Sequence, residues 1–217
     1  MEISKFDSQK RNSNRVNMYI DGSFFCGISL DVLTKFNLYV GKILTADDLE
    51  SILETDLEVQ LFNRACAYLA RCPRSRKEIE RYLFRTILKK KTVWYSDMDS
   101  DLRNRVISKV VANLEKYGYV DDQKYAEQYI SSRLNGKPSG KAILISELLT
   151  KGIPKDIVVS KVDELVDDEY SLLKKAYEKK YHGEHMSYND SKKISFLYRK
   201  GFSWDLIEQF INDEFGE

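Results

Sequence analysis

Cationic side chains at helical spacing are the chemistry this sequence offers most plainly. Between residues 71 and 91 lie Arg71, Arg74, Arg76, Lys77, Arg81, Arg85, Lys89, Lys90 and Lys91, with Trp94 and Tyr95 close behind. Lys77, Arg81 and Arg85 follow one another at steps of four, which places them along one side of a helix. Positive groups neutralise backbone phosphate while flat aromatic faces stack on bases without sequence preference, so the run suits a single nucleic-acid strand. The same charge suits an acidic patch on a protein partner. Further along, Arg133, Lys137, Lys141 and Lys151 would continue such a contact track. The competing reading is that helices of soluble proteins need wet faces and that these are simply solvated.

Other chemistries fail on spacing. Asp97, Asp99 and Asp101 begin like a calcium loop, but Leu102 stands where the turn needs Gly and Ser108 where a bidentate Glu is expected. GKPSGKA at 136–142 is one residue short of a phosphate-binding loop and has Ala where Mg²⁺ needs a hydroxyl. His182 and His185 are the only histidines, with no neighbouring Cys or carboxylate cluster of metal-ligand type. Neither has an evident nucleophile beside it, so the chain is expected not to be an enzyme and to need no cofactor or metal.

Net charge is only +1 over 217 residues, yet it is unevenly spread. Residues 58–120 hold 14 basic and 7 acidic side chains, a surplus of +7, whereas residues 1–57 and 167–217 each stand at −3. A basic segment between acidic ends is the asymmetry that matters for a polyanion or an acidic partner. No apolar run is long enough to cross a membrane, and the polar start lacks the apolar core of a secretion signal. Cys26, Cys66 and Cys72 form an odd, scattered set, which fits a reducing cytoplasm better than a disulfide scaffold.

The elements that must position these cations are legible from periodicity. Val16, Met18 and Ile20 alternate, Asp21-Gly22 suits a type I′ turn, and Phe24, Cys26 and Ile28 alternate again, which predicts a β-hairpin. Ser29 caps a short helix over Leu30, Leu33 and Phe36, and Thr45 with Asp48 opens another that packs Leu49 and Leu53. From about residue 58 the period becomes 3.6. Leu61, Ala65, Tyr68 and Leu69 mark one helix. Ser75 and Glu78 form a capping box ahead of Ile79, Leu83 and Thr86, and Val106, Val110 and Leu114 mark a third helix stopping at Gly118. The same triplet recurs twice, at Tyr125–Ile130, Ile145–Leu148 and Ile157–Leu165, then at Leu172–Tyr177, Ile194–Leu197 and Leu206–Ile211.

Three phrases expose the repetition: LEKYGYVDD at 114–122, LLTKGIPKD at 148–156 and LYRKGFSWD at 197–205. Each has Leu, a basic residue, a Gly suited to a helix end, an apolar residue at 119, 153 or 202, and then a residue suited to starting a helix (Asp121, Pro154 or Ser203). The fold class is therefore all-α: tandem three-helix-bundle repeats in an elongated, curved array, with a small N-terminal β-hairpin and helical region. The expected division is 1–57 for that region, 58–120 for repeat one, 121–167 for repeat two and 168–217 for repeat three. Tyr68, Tyr82, Tyr125 and Tyr129 are expected in cores, and Trp204 half-buried.

The run ACAYLARCPRSRKEIERYL at 65–83 resembles the first-repeat signature of the RecX family of recombination regulators. LEKYGYVDDQKYAEQYISSR at 114–133 and SGKAILISELLTKGI at 139–153 are similar to the stretches that follow it in that family, and KKISFLYRKGFSWDLIEQFI at 192–211 follows more loosely. The segments 89–101 and 182–191 are longer than the compact pattern. The resemblance implies tandem three-helix repeats and binding to the RecA recombinase filament on single-stranded DNA. It further implies modulation, usually inhibition, of the filament's recombination, ATPase and co-protease activities. The expected partners are then RecA and single-stranded DNA, with double-stranded DNA left open, no membrane, and a monomer when free. The alternatives from other classes are a stand-alone nucleic-acid-binding helical protein, marked by steep salt dependence without affinity for RecA, and a scaffold for another protein, marked by a salt-insensitive interface.

Overall fold

The computed structural model describes residues 1–10, 12–89 and 98–216. Three strands open the chain: β1 (Ile3–Gln9), β2 (Asn12–Ile20) and β3 (Ser23–Ser29), antiparallel in that order. The expected hairpin is the β2–β3 pair, and its turn has Asp21 at φ 48° and Gly22 at φ 83°, both left-handed as type I′ requires. The first strand escaped the periodicity reading because its pairing with β2 shifts register between Ile3 and Lys5, so its apolar residues do not alternate cleanly. A second shift, between Met18 and Tyr19 in the β2–β3 pairing, accompanies another departure. Of Phe24, Cys26 and Ile28 only Ile28 is fully buried, while Phe24 is exposed and meets the Tyr19 ring edge-on at 5.8 Å.

Ser29 then caps α1 (Leu30–Lys35) by accepting from Val32 N, and Val32 rather than Leu30 is the residue it buries. At Thr45 a full capping box forms: Asp48 N donates to Thr45 Oγ1 at 3.1 Å and Thr45 N to Asp48 Oδ2 at 2.9 Å. It starts α2 (Ala46–Leu69), a single helix of 24 residues that runs through positions 57 and 58, where the sequence reading placed a boundary. The sheet, α1 and the first turns of α2 enclose one core of Ile3, Val16, Met18, Ile20, Ile28, Val32, Leu38, Leu44, Leu49 and Ile52.

The first triplet is completed by α3 (Arg76–Leu88) and α4 (Ser100–Lys116). In α3 the buried stripe is Ile79, Leu83 and Ile87, while the Thr86 hydroxyl donates to Tyr82 O at 2.8 Å. Asp99, met above as a calcium-loop position, is the N-cap of α4 and accepts from Leu102 N at 2.7 Å. Ion pairs join α4 to α2, from Lys109 to Glu54 at 2.8 Å and to Glu58 at 2.9 Å, and from Arg105 to Glu54 at 3.6 Å.

The second triplet is α5 (Asp122–Gly136), α6 (Lys141–Thr150) and α7 (Lys155–Leu165); the third is α8 (Glu169–Tyr181), α9 (Ser191–Arg199) and α10 (Trp204–Phe215). These two triplets share one continuous core that runs from Ala126 and Ile130 through Leu148, Val158 and Val162 to Leu173, Tyr177, Phe202 and Ile211. The chain divides into two compact units, Met1–Cys72 with Ile79–Tyr119, and Pro73–Glu78 with Val120–Glu217.

The three glycine phrases end their helices in the same way. Tyr119 N, Ile153 N and Phe202 N each reach back to the carbonyl of Leu114, Leu148 and Leu197, at 2.9, 3.2 and 3.3 Å. Ile153 and Phe202 are buried as expected, but Tyr119 is exposed and the next residue, Val120, takes the inward place. Asp121 and Ser203 cap α5 and α10 with their side chains; Pro154 stands one position outside α7, as its N-cap.

The cysteines are free thiols, with Cys26 and Cys66 half-buried and Cys72 exposed. Burial, followed by the nearby Asp56 charge, pushes the Cys26 thiol up to about 12, against a weaker opposite pull from Arg15. At pH 8, a thiol reagent should therefore label Cys72 quickly and Cys26 only after unfolding, because the thiolate is the reacting species. Peptide mass spectrometry after a short pulse reads the difference; equal labelling of the two would refute the buried placement of Cys26.

Candidate partner-binding surface

The basic signature of the first repeat begins as a helix start. Ser75 N donates to Glu78 Oε2 and Glu78 N to Ser75 Oγ, both at 3.1 Å, so the expected capping box is present. Within the second unit this start is fastened to the second triplet. Ser75 Oγ donates to Lys151 O at 2.7 Å, and Arg76 N donates to Asp122 Oδ1 at 2.8 Å. A Cβ added at Gly152 would lie 2.4 Å from Lys77 Cβ, so the stem of Lys77 lies directly on that glycine.

Part of what looks like a binding motif is thus architecture. Arg74 is half-buried and 3.8 Å from Glu78. Lys151 stands 3.7 Å from the same carboxylate, with its amine 5.2 Å from the centroid of the Tyr129 ring and 5.8 Å from that of Tyr125. Burial works to lower the Lys151 amine, but its hydrogen bond with the Tyr125 hydroxyl and the Glu78 charge outweigh this and hold it above its ordinary range. Tyr68 stacks on Tyr82 at 4.1 Å and Tyr125 on Tyr129 at 6.3 Å; all four are half-buried rather than wholly enclosed. Trp204 is 38% exposed and lies parallel to Tyr198.

The outward part is the wet side of α3. Arg76, Lys77, Arg81, Arg85 and Lys89 are exposed, as is Arg71 beyond the end of α2. Arg85 Nε donates to Arg81 O at 3.2 Å, which directs the guanidinium back along its own helix. Lys90, Lys91, Trp94 and Tyr95 lie outside the described residues, as does Asp97.

Three of the second-repeat cations stand beside carboxylates. Arg133 is held by Glu147, with its Nε 2.9 Å from Oε2 and Nη2 on Oε1, and its guanidinium 5.8 Å from the centroid of the Tyr129 ring. Lys141 pairs with Asp163 at 3.0 Å. Lys137 is exposed and terminates α5. Three further lysines, Lys179, Lys180 and Lys200, escaped the sequence reading and lie near Arg133 and Lys137. Their charges are hidden in the −3 total of residues 167–217, although all stand at helix ends, where cations are favoured. Among the described residues no group of three or more His, Cys, Asp and Glu side chains is placed to hold a metal ion, and no helix is long and apolar enough to cross a membrane.

Helix triplets in series, with cations on their outer faces, put the chain in the class of tandem helical-repeat proteins. Comparisons with known proteins give the family. Models of the regulatory protein RecX N-terminal domain, the second RecX three-helix domain and the third match residues 1–45, 121–159 and 167–211. The regulatory protein RecX of Bacillus subtilis is 32% identical over 98% of this chain and 79% of its own length. That of Clostridioides difficile is 29% identical over 97% of this chain and 94% of its own. Among solved structures, RecX from Lactobacillus salivarius superposes with a TM-score of 0.55 at 26% identity, covering 74% of this chain and 97% of that one. Another regulatory protein RecX shares the fold with a TM-score of 0.69 over 98% of both chains. The chain belongs to the RecX family of regulatory proteins.

Proposed function

We propose that this protein binds the RecA recombinase filament on single-stranded DNA and inhibits its strand exchange, ATP hydrolysis and co-protease activity. Family membership supports the partner, and the exposed cations of α3 supply a surface for it. The observation that carries the choice of surface is the division within the signature. Ser75, Glu78 and Arg74 hold the helix start, while Arg76, Arg81 and Arg85 lie on the exposed side of α3. Arg71, Lys77 and Lys89 flank them on the same stretch of chain. In this reading Arg133, Lys141 and Lys151 act chiefly through the ion pairs that fix the second triplet, and Lys137 remains a contact residue.

A regulator shifts a filament between growing and disassembling states only by binding one better than the other; occlusion of the filament groove inhibits by competition alone. Both routes need the charged face. Reversal of Arg76, Arg81 and Arg85 to Glu should raise the concentration for half-inhibition of RecA strand exchange roughly tenfold, a loss of about 1.4 kcal/mol in binding. Helical content and melting should stay near those of the parent, because the three side chains are exposed. Parent-like inhibition by the triple variant would remove α3 from the interface, and failure of the parent protein to inhibit or to co-sediment with RecA filaments would end the functional reading itself.

A further inference from the structure

In the second unit three chain segments converge on a second basic surface. The end of α5 with the loop to Gly140, the last turn of α8, and the turn from α9 into α10 are tied together by one side-chain and one backbone hydrogen bond. Lys179 Nζ donates to Gly136 O at 2.6 Å, and Gly140 N donates to Lys200 O at 2.8 Å. The Phe196 ring carries two ammonium groups, Lys180 at 4.2 Å and Lys200 at 5.8 Å from its centroid. Lys137 lies in the loop, and Lys137, Lys179 and Lys180 are exposed, with Lys200 half-buried. Lys200 is held below the ordinary lysine range, first by burial and then by the positive charges of Arg133, Lys137, Lys179 and Lys180.

Helix C-termini favour cations, but each supplies only about half an elementary negative charge. Four lysines gathered at three such ends therefore repel one another. Arg133 is occupied by Glu147, so what the cluster presents is a set of ammonium point charges on flexible stems rather than planar guanidinium forks. Ammonium groups of this kind follow phosphates along a backbone without fixing their angle. The rings beside them already carry an ammonium group, with Lys180 4.2 Å from the centroid of Phe196 and 5.3 Å from that of Tyr181.

We propose that Lys137, Lys179, Lys180 and Lys200 form a site for the backbone phosphates of a nucleic acid, read without regard to base sequence. The site is independent of the α3 face, so it stands or falls separately from the recombinase contact.

The test uses the full chain and fluorescein-labelled oligothymidylate, with a duplex of equal length as a second arm, titrated by anisotropy across a salt series. For Lys137→Gln, Lys180→Gln and Lys200→Gln combined, affinity at low salt should fall about tenfold. The slope of log K against log salt on the single strand should shrink by about 2, from roughly 0.7 per lost phosphate contact. The Arg76, Arg81 and Arg85 reversal should leave this DNA binding in place. Lys179 is spared in the variant because it also holds Gly136 O.

A measurement on the parent protein covers the case in which the variant unfolds. Saturating DNA should slow acetylation of Lys137, Lys180 and Lys200 several-fold relative to Lys124, which is 75% exposed. Unchanged affinity and slope in a folded variant, or no protection of the three lysines, overturns the proposal. Equal displacement of the DNA by polyglutamate also overturns it, by assigning the cluster to acidic protein. Protection by one DNA form alone tells which backbone geometry the site takes.

Discussion

Replacing Asp56 by Ala should destabilise the first unit by about 3–5 kcal/mol, the cost of leaving a buried charge without its partner. Asp56 is 2% exposed and sits on α2 beneath the sheet. Its carboxylate accepts from Arg15 Nη1 at 3.2 Å and Nη2 at 2.8 Å, from Ser29 N at 2.8 Å and from Gln60 Nε2 at 2.6 Å. Arg15 comes from β2 and also donates to Gly27 O on β3, so a single carboxylate joins two strands, the start of α1 and the long helix. Alanine removes every acceptor at once and leaves a guanidinium and a backbone N–H in a dry place. At about 2–4 °C per kcal/mol for a chain of this length, the melting midpoint should fall by roughly 10 °C or more. Asn, which keeps the shape but turns an amide N–H₂ toward other donors, should lose less. Arg15→Met with Asp56→Leu should recover much of the loss, since a packed apolar pair needs no partners. A melting curve for Asp56→Ala within 2 °C of the parent would show the network to be decorative.

The second large effect is expected at Gly201. Its φ of +87° is unfavourable for any residue with a Cβ, and a Cβ there would lie 2.5 Å from Ile143 Cγ1 and 2.9 Å from Ile143 N on α6. The strain costs about 1–2 kcal/mol, and a backbone atom cannot rotate away as a side-chain tip can. Gly201→Ala should therefore cost about 3 kcal/mol or more, in the range of steric clashes inside packed cores. Gly118 provides the control. It has a similar φ of +72°, but a Cβ there meets nothing within 4 Å, so Gly118→Ala should show the strain alone, about 1–2 kcal/mol. Denaturant unfolding of both variants isolates the close approach as the difference. Equal losses would mean that the α9–α10 turn does not pack on Ile143 as described.

Much of this architecture was readable before any coordinates because local chemistry decides it. The Thr45–Asp48 and Ser75–Glu78 boxes, the Asp21-Gly22 turn and the left-handed glycines at 118, 152 and 201 depend on residues within a few positions of one another. What stayed hidden depends on distant partners. β1 is held by pairing with β2 and by backbone bonds between Ile3 and the 41–42 turn, which no periodicity within ISKFDSQ announces. The unbroken course of α2 was obscured because its inward side meets the sheet and α1 at Leu49 and Ile52 and the first triplet at Leu61 and Ala65, so the apolar stripe changes neighbours partway. The cationic residues were legible as a list but not as a surface. Arg133 and Lys151 are as basic in sequence as Arg81, and only tertiary contacts with Glu147 and Glu78 separate the engaged from the outward.

The core shared by the second and third triplets bears on how the protein can be divided. Leu148, Val162, Leu173 and Ile207 belong to one uninterrupted apolar interior, so a truncation placed between α7 and α8 would cut through a hydrophobic surface rather than a seam. The remaining piece would carry a raw greasy face into water, a liability for association with other copies. Evolution acting on this half of the chain is bound to treat the pair as one unit of inheritance: residues on either side of Val166 must change in step, and a spare triplet is gained or lost only with a neighbour reshaped to cover it.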